Sequence, residues 1–101
     1  MNAQSSRIVI DAQAGRFTVS GVVDSHTGSQ LLDAIRCHGD SGDLELDLSA
    51  VEFIDSSGLR IIVTAHRELD AAGRELVVLQ ASEAVTRLLE ITGLTDHLHI
   101  R

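Results

Sequence analysis

The feature that most restricts this chain is a change of hydrophobic period across four residues. Leu44, Leu46 and Leu48 alternate with Glu45, Asp47 and Ser49. A period of two marks a strand with one buried and one polar face. Val51-Glu52-Phe53-Ile54 carries the chain on to Asp55-Ser56-Ser57-Gly58. Directly after it, Leu59, Ile62, Val63, His66 and Leu69 fall on one helical face. A strand that passes straight into a long helix is half of a crossover unit, and such units pair their strands in parallel.

The same alternation organises the rest. Arg7 to Asp11 and Phe17 to Val22 read as two strands around a turn at Ala12-Gln13-Ala14-Gly15. Leu31, Leu32 and Ile35 share a helical face, with Ser25 or Thr27 as the expected cap and Gly39 as the expected stop. Asp40-Ser41-Gly42-Asp43 is a loop by composition. Gly73 ends the long helix. Leu76 to Leu79 is a continuous apolar run, the mark of a strand covered on both faces. Ser82 is placed to cap a helix that buries Val85, Leu88 and Leu89, and Gly93-Leu94 fits its end. Leu98 and Ile100 predict a short last strand. The order is β-β-α-β-α-β-α-β. It predicts one α/β domain over residues 1–101, with a mixed sheet of about five strands packed by helices. The polar residues of the third strand predict that one sheet face is partly wet.

Composition narrows the function. The chain has 101 residues, net charge −7, no Trp or Tyr and two Phe, and all its basic residues are Arg. Phosphate-backbone binding needs clustered cations and single-strand binding needs aromatic platforms, so nucleic acid is not an expected direct partner. An acidic balance favours solubility and a basic protein partner. The longest apolar runs are far too short to span a bilayer, and no signal peptide is visible at the start. Cys37 is the one cysteine and has nothing to pair with, which fits a reducing cytosol. It is expected half-buried near a helix end.

Of the histidines, His26, His38, His66, His97 and His99, none forms a zinc-ligand spacing. His97 and His99 are expected on one strand face, which is two ligands without a third. Neither a metal nor a cofactor is expected. A phosphate-binding P-loop is absent, and Ser57 lacks the G-x-S-x-G context of a hydrolase elbow. What remains is Asp55-Ser56-Ser57-Gly58, a carboxylate and two hydroxyls at a helix start. Free N–H groups and the dipole favour negative charge there. The plain reading is N-capping; the sharper one is a hydroxyl that accepts a phosphoryl group. The two are compatible, because two serines are available. Asp24 ends the second strand, as a helix cap, a solvated loop residue or a member of a shared acidic site.

The stretch Asp47-Leu48-Ser49-Ala50-Val51-Glu52-Phe53-Ile54-Asp55-Ser56-Ser57-Gly58-Leu59 resembles the central signature of STAS domains, most closely the bacterial anti-sigma factor antagonists. The similarity runs over essentially the whole chain. Gly21-Val22-Val23-Asp24 matches the family's Gly-acid-aliphatic-Asp turn in its first and last positions. Gly73 to Leu79 matches its glycine-then-strand segment, and Val85, Leu88, Leu89, Thr92, Gly93 and Leu94 match the helix that follows. The resemblance implies a STAS-like fold and a cytoplasmic regulator without catalysis of its own. It implies that the unphosphorylated form binds an anti-sigma factor, commonly a GHKL-type serine kinase, and so releases a sigma factor. Phosphorylation would end that binding, and a serine phosphatase would restore it. By position the phosphorylated residue is Ser57, with Asp24, Asp55, Ser56, Ser57 and Gly58 at the partner surface. Val22 stands where the family commonly has an acid, so the surface there is expected to differ. Many relatives carry a further C-terminal helix, whereas this sequence stops at Arg101, so contacts from such a helix are not expected. The alternative is a non-switching accessory subunit of a larger complex, such as a lipid-transport or stress-signalling assembly. A serine hydrolase is the third reading.

Overall fold

A computed structural model describes residues 7–13, 15–37 and 42–101. The elements are β1 (Ile8–Gln13), β2 (Arg16–Val23), α1 (Ser25–Cys37), β3 (Leu44–Ile54), α2 (Ser56–Ala71), β4 (Leu76–Ala81), α3 (Glu83–Thr92), a 3-10 turn (Thr95–His97) and β5 (His99–Ile100). The sheet order is β1-β2-β3-β4-β5. β1 pairs antiparallel with β2, and the other three pairings are parallel. The mixed five-stranded sheet and the element order are those the sequence predicts. Strands that follow one another across a sheet through right-handed crossovers put every helix on the same face. Thr18, Ser20, Glu45 and Asp47 are half-buried on the strands that alternate with the core, so the opposite face is partly wet, as predicted.

The core lies between that sheet and the helices. Phe17, Val19, Leu44, Leu46, Leu48, Leu59, Ile62 and Leu76 are buried to 2% exposure or less. Each such side chain contributes about 1.5–3 kcal/mol by leaving water.

Several local expectations are corrected. The first hairpin is tighter than predicted: Gln13 pairs with Arg16, so the turn holds two residues, not four. Neither Ser25 nor Thr27 caps α1; Asp24 does. β4 is covered on both faces only over its first three residues: Leu76, Val77 and Val78 are buried, but Leu79 is half-exposed and Gln80 exposed. The 3-10 turn takes His97 off the last strand, so His97 and His99 do not share a strand face. Cys37 is exposed, being the last residue of α1 on its outer side. His38 and Gly39 lie outside the described residues, as do Ala14 and the first two residues of the 40–43 loop. Ser82 and Gly93 bound α3 as expected: the Ser82 hydroxyl accepts from the Val85 N–H, and Gly93 has φ 72°.

β3 carries an irregularity that matters for the site. Asp47 to Ala50 on β3 opposes Thr18 to Ser20 on β2, and Val51 to Phe53 opposes Gly21 to Val22. β3 gains one residue in each interval, two bulges that bend the strand. At the first, the Ser49 N–H donates to Asp47 Oδ1 at 2.9 Å. That bond holds the Asp47 carboxyl below the ordinary carboxylate range. After Leu48 the buried positions become Val51 and Ile54, and Phe53 is turned outward at 52% exposure.

Candidate functional site

β2 and β3 are parallel neighbours, so their C-terminal ends emerge together, and a helix starts from each. At the end of β2, Asp24 Oδ1 accepts from the His26 and Thr27 N–H groups, both at 2.9 Å. Thr27 answers: its Oγ1 accepts from the Asp24 N–H at 2.9 Å and donates to the Val22 carbonyl at 2.7 Å. This reciprocal pair is a capping box in which Thr fills the place usually taken by Glu or Gln. It explains why Thr27 is 1% exposed without cost.

At the end of β3, Asp55 Oδ1 accepts from the Gly58 N–H at 2.8 Å and its carbonyl accepts from the Leu59 N–H at 3.0 Å. The N-capping reading of Asp55 therefore holds. The Asp55 N–H donates to the Val23 carbonyl at 3.2 Å, which joins the two strand-to-helix turns. Gly58 closes the junction. A β-carbon there would lie 2.2 Å from the Val23 oxygen, so no other residue fits without moving backbone. The α1 and α2 helices also approach closely: a β-carbon on Gly28 would lie 2.9 Å from Ile61 Cγ1.

The structure thus brings Asp24, Asp55, Ser56, Ser57 and Gly58 to one end of the sheet. Asp24 and Asp55 are half-buried and act as caps; Gly58 is buried; Ser56 and Ser57 are exposed in the first turn of α2. Both hydroxyls reach solvent at a helix N-terminus, where an added anion is favoured.

Two grooves flank this turn. One, of about 360 Å³, runs between α2 and the end of α3 and is lined by Ser56, Leu59, Arg60, Val63, Arg67 and Leu94 among others. The other, of about 260 Å³, lies beside α3 and is lined by Phe53, Ile54, Leu88 and Ile91 among others. Ile91 is 74% exposed. Sequence reasoning did not single out Arg60, Arg67, Phe53, Ile91 or Gly28. The Ser56-Arg60-Val63-Arg67 spacing of one helix stripe is readable in the chain, but the outward turn of Phe53 depends on the bulges. Elsewhere, the His66 ring meets His99 edge-on at 5.4 Å between centroids, and His99 Nδ1 lies 2.5 Å from Glu75 Oε2.

Among the described residues, no helix is long and apolar enough to cross a membrane. The family model described as "Mlab, STAS domain" matches residues 6–100. The chain is 34% identical to an anti-sigma-B factor antagonist of Listeria monocytogenes over 82% of this chain and 75% of the relative. It is 33% identical to one of Staphylococcus aureus over 81% and 78%. Among solved structures, an anti-sigma factor antagonist from Mycobacterium paratuberculosis superposes with a TM-score of 0.73 at 29% identity, covering 95% of this chain and 85% of that one.

Proposed function

Because this chain belongs to the STAS domain family, we propose that it is a cytoplasmic anti-sigma factor antagonist switched by phosphorylation of Ser57. The unphosphorylated form binds an anti-sigma factor of the serine-kinase type and frees the sigma factor. Kinase action on Ser57 ends the binding, and a serine phosphatase restores it. The chain does no catalysis itself, and its curated relatives are antagonists by name. The observation that carries the reading is the exposed Ser57 hydroxyl in the first turn of α2, on a turn locked to its neighbour through Val23.

The physics of the switch is local. A phosphate brings about −1.5 to −2 charges and three acceptor oxygens. Net charge passes from −7 to about −9, with the increment between two capping aspartates. The helix start tolerates the dianion, so the fold survives. A partner shaped for a neutral hydroxyl meets like charge and a desolvation cost instead. No large conformational change is needed.

The test is calorimetric titration of the unphosphorylated and phosphorylated chains against the same anti-sigma factor. Loss of affinity on phosphorylation supports the switch. Equal affinities, with Ser57 demonstrably modified, overturn it. The rival is a non-switching accessory subunit, and the exposed Phe53 and Ile91 favour it, since a constitutive partner would cover them. Stable co-purification with a larger complex, with no mass change on incubation with kinase and ATP, would favour that reading.

A further inference from the structure

Seven residues and two helical turns separate Arg60 from Arg67, which puts both guanidinium groups on one stripe of α2, about 10 Å apart along the axis. Both line the groove that opens at Ser56, with Val63 and Leu94 as its apolar lining. Most other arginines have a partner. Arg16 and Arg101 bond Glu45, Arg36 bonds Glu68, Arg87 faces Glu83 and Arg74 donates to the Gly42 carbonyl. Among the described residues, neither Arg60 nor Arg67 forms an ion pair. Two uncompensated cations flank an apolar strip on a chain that is otherwise strongly acidic.

We infer that this groove docks an acidic, apolar-centred segment of the protein partner, with one carboxylate on Arg60 and another on Arg67. The inference rests on the proposed antagonist function and names the chemistry of the partner at that same surface. The sign of the groove is the reverse of the chain's net charge. The net charge of −7 disfavours an acidic segment in general; here it meets two donors able to bind carboxylates in bidentate fashion. Val63, between the two cations, and Leu94, across the groove, favour an apolar centre in the occupant. A helix with acids two turns apart and leucines between them satisfies both demands. The groove begins at Ser56, so a segment seated in it passes beside Ser57. Arg60 is also three residues along the helix from Ser57, within side-chain reach. A phosphate on Ser57 therefore competes for Arg60 and withdraws one of the two anchors.

The test has two arms, both on the full chain. In the first, isotope-labelled protein is titrated with a synthetic amphipathic helical peptide carrying two glutamates two turns apart and leucines between them. Its copy with lysines replacing the glutamates is the control. Saturable amide shifts along Arg60 to Arg67 and at Leu94, seen with the acidic peptide alone and lost in Arg60→Gln/Arg67→Gln, are expected. Absence of shifts there, or equal shifts with the basic copy, overturns the inference. In the second arm, the same double variant is titrated calorimetrically against the anti-sigma factor. Affinity should fall at least tenfold, with a weaker salt dependence than wild type and an unchanged melting temperature. Unchanged affinity in a variant still switched off by Ser57 phosphorylation overturns the groove and leaves the antagonist reading standing. If wild type binds no anti-sigma factor, the antagonist reading fails and the peptide arm alone decides the groove.

Discussion

No side chain fits between Gly58 and Val23: a β-carbon on Gly58 would sit 2.2 Å from the Val23 carbonyl oxygen and 2.7 Å from its carbon. The first turn of α2 therefore rests directly on the end of β2. That contact sets the position of Ser56 and Ser57 relative to the Asp24 turn.

Gly58→Ala should be among the most damaging small substitutions in the chain. The atom it meets is backbone, which cannot rotate away. Overpacking of this kind costs about 1–3 kcal/mol, and a domain of this size loses about 4–8 °C of melting temperature per kcal/mol. Gly28→Ala meets the side chain of Ile61, which can shift, and should cost less. Thermal unfolding of both variants checks the order. A Gly58→Ala protein as stable as wild type would refute the contact.

Asp24 separates folding from recognition. Its Oδ1 holds two N–H groups at the start of α1. Asp24→Ala should cost about 1 kcal/mol of stability through the lost cap. Asp24→Asn keeps an accepting oxygen and removes the charge. It should unfold near wild type, and any loss of partner affinity then reports the charge alone. Chemical denaturation beside calorimetric titration distinguishes the two effects.

The strand-helix order and the Asp55-Ser56-Ser57-Gly58 turn are legible in the sequence because each is a local property. Alternation gives the face of β3, and capping chemistry gives the start of α2. What escaped depends on contacts between distant residues. The two-sided burial expected of Leu76 to Leu79 holds to Val78 and gives way at Leu79, because it depends on what lies over each sheet face. The sequence offers Asp24 as a cap, but its box with Thr27 uses Thr at a position where Glu or Gln is the usual signal. The roles of Gly58 and Gly28 come from what lies opposite them, which no window along the chain contains. In Val51-Glu52-Phe53-Ile54 no regular period assigns Phe53 to a face; two bulges against β2 turn it to solvent.

Cys37 should be dispensable. It is exposed at the end of α1, so Cys37→Ser removes little packing. Stability should stay within about 0.5 kcal/mol, the range of surface substitutions away from special features. Partner affinity should be the same with and without reductant. A reductant-dependent affinity in wild type, lost in Cys37→Ser, would reveal a redox role.

Acid should expose a small contribution from the Arg36–Glu68 pair, which links α1 to α2. Arg36 Nη2 lies 2.6 Å from Glu68 Oε2, and the hydrogen bond holds the Glu68 carboxyl below its ordinary range. A depressed folded value means stability that is fully present above the unfolded carboxyl's pKa of about 4.3. It is lost as pH falls through the folded value beneath that. Both partners are exposed, so solvent screening keeps the effect modest. Denaturation across the acid range should show a shallower decline in Glu68→Gln than in wild type. Identical slopes would mean that the pair contributes nothing measurable.

Phosphorylation should separate binding from folding at one residue. Ser57 stands in the first turn of α2, where the dipole favours an anion. Peptide mapping after kinase treatment should find phosphate on Ser57 and not on Ser56, whose side chain lines the α2–α3 groove. Ser57→Glu should leave the melting temperature close to wild type. Its affinity for the anti-sigma factor should fall at least tenfold, about 1.4 kcal/mol. Ser57→Ala should bind as wild type and resist the kinase, giving a permanently active antagonist. One carboxylate mimics a dianion with three acceptor oxygens imperfectly, so the phosphorylated chain should be weaker still. With Arg60 one turn away, the phosphate also has a cation to hold, which the single negative charge of Glu serves less well. Arg60→Gln should therefore narrow the gap between phosphorylated and unphosphorylated affinities, mainly by weakening the unphosphorylated form. Phosphate confined to Ser56, or full affinity in a chain modified at Ser57, would refute the assignment of the switch to this residue.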